Sequence, residues 1–123
     1  MADEELTEYA LELFSSLPEV TPRRMFGGVG FFSQGLMFGL IAEGEIYLKC
    51  PDEEAHRFEE EGSHAFIYEG QKKGTIKIPY RTIPERLHDD RDELAEWVAR
   101  TWHIAFEKDQ KKSPSQRKYK PLF

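Results

Sequence analysis

Leu6, Tyr9, Ala10, Leu13, Phe14 and Leu17 recur at the spacing of one helix face, and Glu4, Glu5, Glu8 and Glu12 fill the other. This pattern predicts an amphipathic helix over 3–17. Its acids suit the positive end of the helix dipole, and Pro18 stops it because the residue before a proline avoids the α region. From residue 25 the period changes. Val29-Gly30-Phe31-Phe32, a turn at Ser33-Gln34-Gly35, an apolar run over 36–41, a turn at Glu43-Gly44 and the alternating Ile46-Tyr47-Leu48-Lys49-Cys50 predict a three-stranded antiparallel meander over 25–50. The middle run is apolar on both faces and reads as the central strand.

A short second helix opens at Pro51-Asp52, with Asp52 as N-cap, and ends at Gly62. Ala65-Phe66-Ile67-Tyr68 and residues 75–80 flank a polar loop and predict a second hairpin, in which Pro79 marks a strand end or an edge. The last helix begins at Asp89 or Asp90, where Asp90 and Glu93 have capping-box spacing. Leu94, Trp97, Val98, Thr101 and Ala105 form its stripe. Trp102, Ile104 and Phe106 widen that stripe, so it must cover a broad sheet face, a second helix or a partner subunit. The order is α-β-β-β-α-β-β-α. Hairpins without crossover spacing give an antiparallel sheet with helices packed on it, the α+β class. One sheet face takes the first and last helices, and the less covered face suits a dimer interface.

Gly27, Gly28 and Gly30 precede a strand instead of opening a helix, and no Gly-Lys-Ser/Thr follows. They read as a bend or a close backbone approach and not as a phosphate loop. Gly39, inside the central run, implies a ring packed against it, from Trp97 or Trp102.

Charge divides the chain. Residues 1–107 carry 22 acids against 11 bases, a charge of −11, whereas residues 108–123 carry six bases against Asp109 alone, a charge of +5. We therefore read one domain over 1–107 and a basic, flexible tail over 108–123. An acidic body repels a phosphate backbone; the tail bases Lys111, Lys112, Arg117, Lys118 and Lys120 attract one. A single cysteine excludes a disulfide framework. No apolar run approaches the ~20 residues that span a bilayer, and the acidic start lacks the basic opening of a signal peptide. The expected setting is cytoplasmic.

The reactive side chains do not gather. His56, His64, His88 and His103 have no tight ligand spacing, so no metal site is implied. Cys50 reads as a small buried hydrophobe, and no Gly-Xaa-Ser-Xaa-Gly elbow occurs. Asp89, Asp90, Asp92 and Glu93 are explained by helix capping and the dipole. Arg23 and Arg24, next to Met25 and Phe26, are the sequence's one cation–aromatic cluster ahead of a strand. Such pairs grip carboxylates or nucleic acid, or pair with an acidic body. The long helix mixes Glu93, Glu96 and Glu107 with Arg91 and Arg100 and is no major-groove surface.

Arg24-Met25-Phe26-Gly27-Gly28-Val29-Gly30-Phe31-Phe32, then Gly35-Leu36-Met37-Phe38-Gly39-Leu40-Ile41 and Ile46-Tyr47-Leu48-Lys49, resemble the N-terminal domain of the TfoX/Sxy competence-regulator family. Tyr80, Pro84, Asp90, Leu94 and Trp97 extend the resemblance to residues 5–107. It implies an α-β3-α-β2-α fold like that of secretion chaperones, and a link to DNA uptake. Full-length regulators of this type act with the cyclic-AMP receptor protein to switch on competence genes. Against that pattern, the expectation for this sequence after residue 107 is a basic tail and not a second helical domain.

The expected function is a non-enzymatic interaction domain in transcription regulation, without cofactor. Its expected partner surface is Arg23, Arg24, Met25, Phe26, Gly27, Gly28 and Phe32, with an exposed part of the last helix. The expected partner is a protein, by resemblance the transcription machinery or the cyclic-AMP receptor protein, with a homodimer as a further possibility and direct DNA binding weak or absent. The alternative is a small-ligand or enzymatic domain whose aromatic pocket, between sheet and last helix, is lined by Tyr47, Tyr80 and Trp97.

Overall fold

The computed structural model describes residues 3–25, 27–70 and 74–122. Helix α1 (Asp3–Leu13) buries Leu6, Ala10 and Leu13, the face that the pattern predicts. It ends a turn before Pro18. Phe14 still donates to the Ala10 carbonyl at 2.9 Å, but Leu17 donates to that of Phe14 at 3.1 Å, a tighter three-residue turn. The chain then enters a sheet of six strands: β1 (Thr21–Met25), β2 (Gly28–Ser33), β3 (Leu36–Ala42), β4 (Glu45–Lys49), β5 (Ala65–Gly70) and β6 (Gly74–Thr82). Their spatial order is β1-β2-β3-β4-β6-β5, and each neighbouring pair is antiparallel. As the doubly apolar run predicts, β3 lies between β2 and β4.

The expected meander of three strands is therefore corrected to four. The added strand, β1, reads Thr-Pro-Arg-Arg-Met and exposes four of its five residues. An edge strand with no apolar alternation leaves no mark in the hydrophobic pattern. The class remains α+β, an open antiparallel sheet with helices on it.

The helices share one side of the sheet. Phe14 meets Phe31 at 5.3 Å and Phe38 at 5.0 Å between centroids, both edge to face, with Val29, Ile41, Ile46 and Leu48 in the same cluster. A Cβ on Gly39 would lie 3.0 Å from the Phe14 ring. The ring over Gly39 thus comes from α1 and not from Trp97 or Trp102, because Trp97 packs edge-on against Phe58 instead. Phe58 belongs to α2 (Ala55–Glu60), which follows a single 3-10 turn, Asp52–Glu54, without the expected Asp52 cap bond. On the opposite side Leu40, Ala42, Tyr47, Phe66 and Tyr80 form a second cluster, flanked by Met37 and Ile78. It draws its members from strands alone.

Helix α3 (Arg91–Gln110) opens on the predicted cap, with the Asp90 carboxylate accepting from the Glu93 N–H at 3.1 Å. Leu94, Trp97, Val98, Thr101 and Ala105 are buried. Two residues of the widened stripe are covered from within the chain: Trp102 stacks on Phe106 at 5.4 Å, and Tyr119 meets their rings at 6.0 and 4.8 Å, whereas Ile104 lines a cleft.

The stretch 108–123, read from sequence as a flexible tail, begins with the last turn of α3. Asp109 is 2 % exposed, and its carboxylate accepts the Lys118 N–H at 2.9 Å and the Tyr119 N–H at 2.9 Å. The Lys120 N–H donates to the Gln34 carbonyl at 2.8 Å. Residues 118–120 thus form a strap across the β2–β3 turn. At that turn Gly35 takes a φ of 86°, and a Cβ there would lie 2.1 Å from the Lys118 carbonyl oxygen, so the strap requires glycine twice over.

Candidate functional site

β1 is one of the sheet's two edge strands, and Pro22 within it offers no N–H to an incoming strand. Recognition at this edge therefore falls to side chains. The register sorts them. Thr21, Arg23 and Met25 pair with Phe32, Gly30 and Gly28, whereas Arg24 pairs with Val29 of the helix-side core. Adjacent arginines on a strand point to opposite faces, and these two do. Arg23 lies over the Phe32 ring at 5.2 Å from its centroid, a cation–π contact worth ~0.5–1 kcal/mol at an exposed site. Arg24 lines a cleft of about 320 Å³ together with Glu4 and Glu8 of α1, and Pro22 and Arg23 also border it.

The strap brings a second group of cations to Arg23. Thr21, Pro22, Arg23, Phe32 and Gly35 line a cleft of about 560 Å³ with Arg117, Lys118 and Lys120. Four cations and one aromatic ring converge there, and no acid lines the cleft. Arg117 also caps α3, donating to the carbonyls of Lys112 and Gln110 at 3.1 Å each. Burial first, and then the neighbouring Lys108, Lys112 and Lys118, hold the Lys49 ammonium below its usual range against the opposing charge of Asp109.

The other expected surface residues stand elsewhere. Met25 and Met37 fill the space above Gly30 with their thioether ends, 3.0 Å from where a Cβ would sit. Gly28 is a close-approach position, since its Cβ would lie 1.9 Å from the Ile41 carbonyl oxygen, and Gly27 turns with a φ of 73°. Phe26 lies outside the described residues. Of the tail bases, Lys111 lines a different cleft beside His103, and Lys112 stands 3.9 Å from Asp109.

The expected aromatic pocket does not assemble. Tyr47 and Tyr80 belong to the strand-only cluster, and Trp97 belongs to the core on the other side of the sheet. Trp97 lies under Arg57 at 4.2 Å and donates to Glu93 at 3.2 Å. Burial pushes the Cys50 thiol up to about 11, far from a reactive thiolate. His64 meets Glu45 at 3.0 Å and His88 meets Tyr9 at 2.7 Å. Among the described residues, no group of three or more His, Cys, Asp or Glu stands where it could hold a metal ion, and no helix is long and apolar enough to cross a membrane.

Sequence reasoning found Arg23, Phe32 and the tail bases separately and missed their convergence. The signal was present in Asp109: it is the one acid in a basic stretch and ends a helix whose stripe needed covering.

A family model described as the TfoX N-terminal domain matches residues 12–105. The DNA transformation protein TfoX1 of Aliivibrio fischeri is 31% identical over 119 residues, a match covering 95% of this chain and 56% of that protein. The chain thus spans about half the length of that relative.

Proposed function

The chain belongs to the TfoX N-terminal domain family, and from that premise we propose that it is a non-enzymatic interaction domain in the regulation of DNA-transformation genes. It works in the cytoplasm and docks an acidic face of a protein partner on the cleft around Arg23 and Phe32. The observation that carries this reading is the meeting of Arg23, Phe32, Arg117, Lys118 and Lys120 around one cleft that no acid lines. Arginine and aromatic anchors of this kind dominate binding energy at protein interfaces, and a single-sign patch on an otherwise acidic body steers the partner to one place.

The test is direct binding of the purified chain to purified cyclic-AMP receptor protein and to RNA polymerase. Binding to either one, weakened at least tenfold by Arg23→Glu and Arg117→Glu together, supports the reading. Absence of binding to both, or binding indifferent to the two substitutions, overturns it.

The same four cations favour a second reading, a nucleic-acid strand in the cleft. It requires an affinity for an oligonucleotide that falls steeply with salt and is lost in a Lys118→Glu/Lys120→Glu variant. An oligonucleotide affinity that is absent, or unchanged in that variant, removes it.

A further inference from the structure

Arg81 sits apart from this surface, on β6 opposite Leu48, and is 9 % exposed. Most of the chain's buried charged groups are paired. Glu54 accepts from Arg100 at 2.6 and 2.9 Å and from Arg57 at 2.9 Å, and Asp109 holds the strap. Among the residues whose side chains are described, which exclude 68–77, none makes a hydrogen bond or ion pair with Arg81. No fully buried side-chain nitrogen or oxygen among the described residues lacks a partner. The guanidinium nitrogens are therefore the part of Arg81 that reaches open space.

That space is a cavity of about 330 Å³. Cys50, Pro51, Ile78 and Pro79 supply apolar wall, and Lys108 supplies a second cation. A guanidinium that opens onto such a space with no described acceptor has its donors free for an anion. Its planar fork matches carboxylate and phosphate oxygens two at a time.

We propose that this cavity binds a compact oxyanion, a carboxylate or phosphate group, held by Arg81 with Lys108 as the second cation. Lys108 is engaged with Glu53 at 3.2 Å, but both side chains are about half exposed, and such a pair gives way at little cost. Asp52 and Glu53 also line the cavity. They limit the negative charge that the cavity tolerates, which favours one small acid over an extended polyanion, in keeping with a volume near the lower end for small-ligand sites.

The test follows the arginine side-chain Nε–H resonances of the full chain during titration with sodium phosphate and, separately, sodium acetate. Ionic strength is held constant with chloride. The expected result is a saturable shift of the Arg81 resonance with at least one anion; the anion that produces it tells phosphate from carboxylate. Affinity is expected to fall at least tenfold in Arg81→Lys, which keeps the charge and loses the fork, and severalfold in Lys108→Gln. Lys108→Gln alters an exposed side chain and keeps the test open if the Arg81 variant fails to fold. The absence of any saturable Arg81 shift with either anion overturns the proposal, as does an affinity unchanged in a folded Arg81→Lys or in Lys108→Gln.

Discussion

On the helix side of the sheet, Phe14 reaches Phe31, Phe38 and Gly39 at once, and nearly every neighbour is apolar. At the β1 end, the same sheet presents Arg23 over Phe32, with Arg117 and the two lysines of the strap around the same cleft. The first region is held by burial, which is non-directional and tolerates little loss of volume. The second is held by a few directed bonds to Asp109 and Gln34, and its exposed charges contribute little to stability. The difference teaches where each kind of substitution acts: in the first region it changes whether the chain folds, and in the second what the folded chain touches.

The largest expected effect tests the first half of that contrast. Phe14→Ala removes a ring with no exposure from among two others and is expected to cost about 3–5 kcal/mol in denaturant unfolding. A loss below about 1 kcal/mol would mean that the helix side is not the source of stability. Next comes Asp109→Ala, which leaves the Lys118 and Tyr119 N–H groups without their acceptor. A cost of about 1–3 kcal/mol is expected, with faster amide exchange at 118–120 and unchanged exchange in β2 and β3. Equal acceleration in the strands would break the contrast by showing that strap and core unfold as one.

Acid gives a smaller effect per group. Hydrogen bonds from Arg86, then from Trp97, hold the Glu93 carboxyl down to about 2, and those from Arg100 chiefly depress that of Glu54. At Asp109 burial pushes upward and the Lys118 and Tyr119 N–H groups outweigh it. A carboxyl depressed in the folded state stabilises it fully above the unfolded value, which is 4.5 for glutamate, and that stability is lost as pH falls through the folded value. Tm is therefore expected to be level from pH 7 to about 5 and to fall between about 4.5 and 2. A Tm rising with acid over that range contradicts these pairings. The smallest stability effect belongs to Arg23→Glu, expected within about 0.5 kcal/mol of the parent while partner binding is weakened. A large destabilisation there would merge the two regions into one.

Legibility in the sequence followed the same division. Leu6 to Phe14, the doubly apolar run of β3 and the stripe from Leu94 to Ala105 all show, because burial repeats with the period of the element. Arg23 and Arg24 stood out as chemistry, yet the strand that orients them did not, since Thr-Pro-Arg-Arg-Met buries almost nothing. The ring over Gly39 was legible as a need and not as an identity: a close approach shows in one residue, its occupant only in three dimensions. Arg81 carried no signal at all. Its burial, and its lack of a partner among the described side chains, are facts of packing, which no local pattern of types encodes.

The covering of α3 has an optical consequence. The Trp102 indole N–H donates to the Ser33 carbonyl at 2.9 Å, and its ring faces Tyr119 of the strap. The other indole, Trp97, is held between Phe58 and Arg57. With Trp97 replaced by phenylalanine, the single remaining indole emits from the hinge between sheet and strap. Detachment of the C-terminal segment then becomes a change of colour in solution, read without any attached dye.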